Sequence, residues 1–145
     1  YLFTYSGKQW LTQKYSRAIL DTYYGSTPYH GWEGDEDEGQ MGGWFVMSAL
    51  GLFEMEGGCE VEPMVNITSP LFNKITVHLD NKYYKGKQFT IEARNNSKEN
   101  IYIQSATFND KTLNTVRIKF EDIVNGGSLI LEMGPEPNKE WGKSL

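Results

Sequence analysis

The sequence predicts an α+β chain in which two helices precede a run of strands. Three observations carry this expectation: a helical spacing of apolar residues up to about residue 52, a switch to a period of two after residue 60, and a charge imbalance confined to the first part. In residues 8–24, Leu11, Tyr15, Ala18, Ile19 and Thr22 or Tyr23 recur at spacings of three and four and run into Gly25, which predicts an amphipathic helix with a glycine stop. Residues 25–34 (GSTPYHGWEG) combine glycines, a proline and three large rings and predict a loop. Met41, Trp44, Phe45, Ser48, Ala49 and Leu52 then restore the helical spacing, so a second helix is expected from about Gly39 to Leu50, stopping near Gly51. Further on, Ile75, Val77 and Leu79 alternate with polar residues. So do Phe89, Ile91 and Ala93; Ile101 and Ile103; Val116, Ile118 and Phe120; and Leu129, Leu131 and Met133. Turn signals at Asp80-Asn81, Asn95-Asn96-Ser97, Asn109-Asp110 and Asn125-Gly126-Gly127 separate these runs, giving five or more antiparallel strands. Two parts follow: residues 1–58, helical, and residues 59–145, built of strands.

Composition narrows the class. The 145 residues are 39% hydrophobic and 23% charged, which fits neither a disordered tail nor a membrane protein. The longest mostly apolar run, residues 44–53, is about half of the ~20 residues a spanning helix needs. A net charge of -5 argues against a nucleic-acid or anionic-lipid partner. Residues 1–58 hold three basic and eight acidic side chains, whereas residues 59–145 hold eleven of each. Five of those eight acids, Glu33, Asp35, Glu36, Asp37 and Glu38, fall within six positions. The single cysteine, Cys59, excludes an internal disulfide and a Cys-based zinc site. The chain opens at Tyr1 without an initiator Met or a signal peptide, so it is expected to be a piece of a longer protein.

The acidic run sits at the entrance of the second helix. One reading is structural: acids there satisfy free N–H groups and the positive end of the helix dipole. An EF-hand fails, because with Asp35 and Asp37 as loop positions one and three, Gly39, Gln40 and Val46 stand where an acid, a glycine and a glutamate belong. The chemically sharper reading is acid/base catalysis on a sugar. Carboxylates beside Tyr29, His30, Trp32 and Trp44 make a carbohydrate-type site, and Asp35 and Asp37 are spaced to serve one water. No nucleophile elbow, phosphate loop or dinucleotide fingerprint occurs. Asn66-Ile-Thr and Asn95-Asn-Ser match glycosylation triplets.

The run Gly34-Asp-Glu-Asp-Glu-Gly-Gln-Met-Gly-Gly-Trp-Phe-Val-Met-Ser-Ala-Leu-Gly51 resembles the Gly-(Asn/Asp)-x-Asp-x-Gly-Gln-Met-Ser-Ala-Trp-Tyr-Val-x-Ser-Ala-Leu-Gly signature of glycoside hydrolase family 92, the calcium-dependent exo-acting α-mannosidases. Tyr1-Leu-Phe-Thr-Tyr-Ser-Gly-Lys-Gln-Trp-Leu-Thr-Gln and Tyr24-Gly-Ser-Thr-Pro-Tyr resemble the segments leading to that loop. Ser69-Pro-Leu-Phe-Asn-Lys-Ile-Thr-Val-His-Leu, residues 95–105, Gly126-Gly-Ser-Leu and Met133-Gly-Pro resemble the family's C-terminal strands.

The resemblance implies the C-terminal piece of a longer enzyme, with the last helices of an (α/α)₆ barrel in residues 1–58 and terminal strands after them. It implies an inverting release of mannose, α-1,2-linked, from the non-reducing end of glycans, N-glycans included. Asp37 matches the general base and Asp35 a second acid assisting it, at a position where other members carry Asn. Trp32, just ahead of the loop, is expected to shape the leaving-group subsite, and Gln40 of the signature to meet substrate. The general acid and most calcium ligands are expected upstream of Tyr1, so the remainder of the parent enzyme is a required partner and the isolated chain is expected to be inactive. Family resemblance also implies a bacterial periplasmic or secreted location. Gly42-Gly43 departs from the usual Ser-Ala. The competing reading is a carbohydrate-binding or structural β module whose acidic loop only caps a helix.

Overall fold

A computed structural model describes residues 1–36 and 38–143. The one-turn helix α1 (Leu2–Tyr5) leads into α2 (Gln9–Tyr23), close to the expected bounds. Residues 25–34, expected as a loop, form instead a small antiparallel hairpin of β1 (Tyr24–Thr27) and β2 (His30–Trp32). Its residues are largely exposed on both faces, so no alternating apolar pattern marks it. Gly25 is required there, because a Cβ would lie 2.4 Å from the His30 carbonyl oxygen. Helix α3 (Gln40–Leu50) follows and ends where the glycine stop predicts, with Gly51 left-handed at φ 75°. A Cβ on Gly51 would also stand 2.9 Å from the Thr68 carbonyl oxygen.

The remaining described strands build two further sheets. β3 (Leu52–Phe53), β4 (Met64–Ile67) and β9 (Arg117–Lys119) form one in that order. The other has the order β5-β6-β10-β7-β8, from β5 (Lys74–His78), β6 (Gln88–Arg94), β7 (Tyr102–Phe108), β8 (Lys111–Leu113) and β10 (Gly127–Gly134). Asn109 and Asp110 both take positive φ in the tight turn from β7 to β8. Phe120, expected to extend the strand at Ile118, instead opens a short helix, α4 (Phe120–Val124), whose first turn carries Glu121 and Asp122. α+β is the observed class, and the pairings are antiparallel as expected with one exception: β10 lies parallel to β6 while antiparallel to β7. Alternation is the same in either direction, so only the path of the chain through β7, β8, β9 and α4 selects it.

Inward residues of both sheets share one core, including Val65, Ile118, Phe89, Ile91, Ile103, Leu129 and Leu131, closed by Trp141. The expected alternation therefore locates the core face of β6 and β10 residue by residue. Helix α2 behaves differently. Its apolar stripe faces away from the strands, with Tyr15, Ile19 and Tyr23 exposed by 46%, 36% and 50%. The face turned to the strands buries Gln9, Thr12, Gln13, Ser16 and Arg17, with Leu20 the buried apolar residue. Gln13 Oε1 accepts the Ile103 N–H at 2.8 Å, and Gln9 Nε2 donates to the Trp141 carbonyl. Arg17 donates to the carbonyls of Pro70 at 2.6 Å and Ser97 at 3.1 Å and to Asn96 Oδ1 at 2.9 Å.

Candidate active-site loop

The acidic run spans the connection from β2 to α3. The N-cap, Gly39, is left-handed at φ 77° and has no side chain with which to cap. That function falls to Glu36, three residues earlier. Its carboxylate accepts the Met41 N–H at 2.7 Å and the Gly42 N–H at 3.1 and 3.2 Å through its two oxygens. These are two of the donors that a helix leaves free at its start, and the negative charge meets the positive end of the helix dipole. The capping expected of the acids is thus real and is made by Glu36.

Tyr24 secures the other side. Its hydroxyl donates to the Met41 carbonyl at 3.1 Å, and its ring stacks on Trp44 at 5.7 Å and leans on Phe45 at 5.2 Å. Burial pushes the Tyr24 phenol up, and the nearby Glu36 charge adds to the rise. Sequence spacing gave no hint of this, since Tyr24 falls at the helix end, where neither period applies.

Asp35 is exposed beside the half-buried Glu36. Asp37 lies outside the described residues. Trp32 is 49% exposed and lines a small cleft of ~160 Å³ with Tyr24, Gly25, Gly31, Gly42 and Phe45. Gln40, exposed at the first position of α3, lines a second cleft of ~310 Å³ with Gly43, Trp44, Met47, Phe53 and Glu54. The two aromatic-walled clefts therefore flank the first turn of α3, one touching Gly42 and the other Gly43. His30 Nδ1 stands 4.0 Å from Glu33 Oε1, both well exposed. Among the described residues, no three His, Cys, Asp or Glu side chains gather closely enough to hold a metal ion.

Behind α3, Tyr1 stacks on Phe53 at 4.0 Å, and its hydroxyl lies 2.6 Å from Ser48 Oγ. Tyr5 donates to Glu56 Oε1 at 2.5 Å, and Arg117 bridges Glu56 and Glu60 at 3.1 Å each. Of the two glycosylation triplets, Asn66 is buried within β4 at 1% exposure, whereas Asn95 is exposed at a turn residue with φ 59°.

Residues 1–135 match the profile of the glycosyl hydrolase family 92 catalytic domain, and the chain belongs to that family. An uncharacterized secreted glycosidase of Arthroderma benhamiae is 32% identical over 144 residues, covering 98% of this chain and 18% of its own length. A family GH92 α-mannosidase from Bacteroides thetaiotaomicron superposes with a TM-score of 0.88 at 30% identity, over 99% of this chain and 18% of that one. The same enzyme is known in complex with mannoimidazole. A family GH92 inverting mannosidase of the same species gives 0.80 at 34% identity, over 94% of this chain and 17% of that one. The chain thus spans less than a fifth of the length of these relatives. No described helix is long and apolar enough to cross a membrane.

Proposed function

We propose that the chain is the C-terminal part of an inverting exo-acting α-mannosidase, α-1,2-specific, that releases mannose from glycans, and that it supplies the general-base loop. The observation that carries this reading is the loop between β2 and α3. It leaves Asp35 in solvent next to a side chain pinned to the N-terminus of α3, a helix whose first turn is flanked by two clefts walled by aromatic rings. An inverting relative and a mannoimidazole-bound relative support the same class of chemistry.

In this reading Asp37 deprotonates the attacking water and Asp35 assists. The general acid stands on the opposite face of the sugar, ~6.5 to 9.5 Å from the base, and comes from the part of the enzyme ahead of residue 1. Trp32, half exposed at its cleft, receives the leaving group, and Gln40 contacts the sugar. Residues 1–58 complete the barrel and residues 59–145 form the terminal β region. The outward apolar stripe of α2 fits that arrangement, since it offers Tyr15, Ile19 and Tyr23 to preceding helices. Calcium is the parent enzyme's cofactor, where it helps distort the sugar ring. In this reading most of its ligands come from the segment upstream of residue 1. A secreted relative supports export; a bacterial periplasmic or extracellular location is part of the same proposal.

The competing reading, a β module with a capping loop, draws on Glu36, which does cap α3. Asp37→Ala in the full-length enzyme separates the two. A lost general base lowers kcat by about 10² to 10⁴ with the fold intact. Under the competing reading Asp37→Ala leaves turnover in place, and it is Glu36→Ala, which removes the cap, that costs about 0.5 to 2 kcal/mol of stability. Within the same series Trp32→Ala is expected to change the ranking of differently linked mannobioses; an equal loss on every linkage rejects the subsite assignment.

A further inference from the structure

We infer that the outer face of the larger sheet carries a second carbohydrate site, which takes a neutral glycan apart from the clefts at α3. A cavity of ~640 Å³ opens there, lined by Asn73 and Lys74 at the start of β5, Glu92 and Arg94 on β6, Asn95 in the turn that follows and Glu132 on β10. Its size falls within the ~300 to 1,000 Å³ usual for small-ligand sites. It shares no lining residue with the two clefts that flank α3.

Strand pairing alternates the charges: Lys74 stands opposite Glu92, and Glu132 opposite Arg94, on three adjacent strands. Arg94 donates through Nε to Glu92 at 2.8 Å and through Nη1 to Glu132 at 3.2 Å. Both carboxylates are thereby held in place and keep lone pairs to offer a ligand. The rim is fixed from beneath by Arg17, itself 4% exposed. Its Nη1 donates to Asn96 Oδ1 at 2.9 Å, and Asn96 Nδ2 donates to Asn73 Oδ1 at 3.3 Å, which turns the Asn73 oxygen inward and leaves its N–H groups for the cavity. Asn100 Nδ2 closes the turn on the Asn95 carbonyl at 2.8 Å, with Asn95 left-handed at φ 59°.

The ligand class follows from this lining. Two positive and two negative side chains cancel, so an anion is repelled by Glu92 and Glu132 and a cation by Lys74 and Arg94. An apolar ligand would strip water from all four without replacing its bonds. Hydroxyl groups, each both donor and acceptor, match the mixture of amides, carboxylates and cations. The lining residues include no aromatic ring, so a sugar is held here through its hydroxyls and not by stacking.

The test is native affinity electrophoresis of the full-length enzyme through gels containing neutral α-mannan, beside kcat/KM on a mannobiose. Mannan is expected to retard the wild type. Arg94→Ala and Asn95→Gly are each expected to raise the apparent Kd for mannan about two- to tenfold, the effect of losing one or two hydrogen bonds, with kcat/KM on the mannobiose within about twofold of wild type. Glycine favours the left-handed backbone at position 95, so Asn95→Gly keeps the turn and decides the matter if Arg94→Ala loses stability. An unchanged Kd in both variants, or a wild type that mannan does not retard, overturns the site. Stronger retardation of the wild type by a polyanion such as pectate overturns its neutral class. A loss of kcat/KM equal to the loss of retardation assigns the binding to the loop at α3 and overturns it as well. The choice of mannan rests on the proposed function, whereas the site does not: a wild type that is retarded yet leaves the mannobiose intact overturns the hydrolase reading alone.

Discussion

Glu56 accepts a hydrogen bond from the Tyr5 hydroxyl and pairs with Arg117, and these hold its carboxyl below the usual carboxylate range, the Tyr5 bond contributing most. Its folded pKa lies below its unfolded one. The associated stability is therefore fully present above the unfolded value of 4.5 and is lost as pH falls through the folded value. Melting temperatures measured from roughly pH 6 down to pH 3 are expected to fall less steeply for Glu56→Gln than for wild type. Parallel acid limbs for the two proteins would remove Glu56 from this role. At the same scale, the acidic run resolves into unlike members: Glu36 bound to backbone, Asp35 in solvent, Glu33 near His30. Their composition is uniform in the sequence. Their roles depend on which carboxylate can reach a free N–H, and the longer reach of a glutamate three residues before a side-chain-free cap decides that.

Among the elements, α3 starts with an avoidable weakness. Gly42 and Gly43 occupy its first turn, yet a Cβ on Gly43 would meet nothing within 4 Å and Gly43 is exposed. Gly43→Ala is therefore expected to stabilise the protein by about 1 kcal/mol through helix propensity, read as a raised denaturation midpoint. Unchanged or lowered stability would mean that the glycine is used in a way the fold does not display. Helix α2 was legible in position and opaque in orientation. Its apolar spacing at Leu11, Tyr15 and Ile19 marks a helix, but Tyr15 and Ile19 point away from the strands. Hydrogen bonding turns the helix: Gln13 and Arg17 meet backbone groups at Ile103, Pro70 and Ser97, contacts that no local pattern encodes. The hairpin of β1 and β2 was missed for a related reason, since a strand pair exposed on both faces leaves no alternation to read.

At the scale of the whole molecule, the chain covers less than a fifth of the length of the relatives named above, and under the proposed function its outward apolar face at Tyr15, Ile19 and Tyr23 is a surface that preceding helices cover. The 145-residue chain alone is accordingly expected to give no turnover of mannosides, with or without added calcium, in an assay sensitive to about one part in 10⁴ of the full enzyme's kcat. Calcium-dependent hydrolysis by the chain alone would show that an acid within these residues suffices. The family and the β core were legible from residue order. Signature motifs are local in the chain, and strands with one buried face declare it through alternation, as Phe89, Ile91 and Ala93 do.

The sequence by itself determined the α+β class, the ends of both main helices, the inward residues of β6 and β10 and the position of the acidic loop. These are set by local periods, by glycine's freedom at Gly51 and by charge spacing. Only the tertiary structure decided the parallel placement of β10 beside β6, the polar docking face of α2 and the choice of Glu36 as the acid that caps α3. Each of these depends on backbone donors and acceptors brought together from distant segments or by a loop reversal, and a buried N–H or carbonyl takes whatever partner the folded path carries within reach.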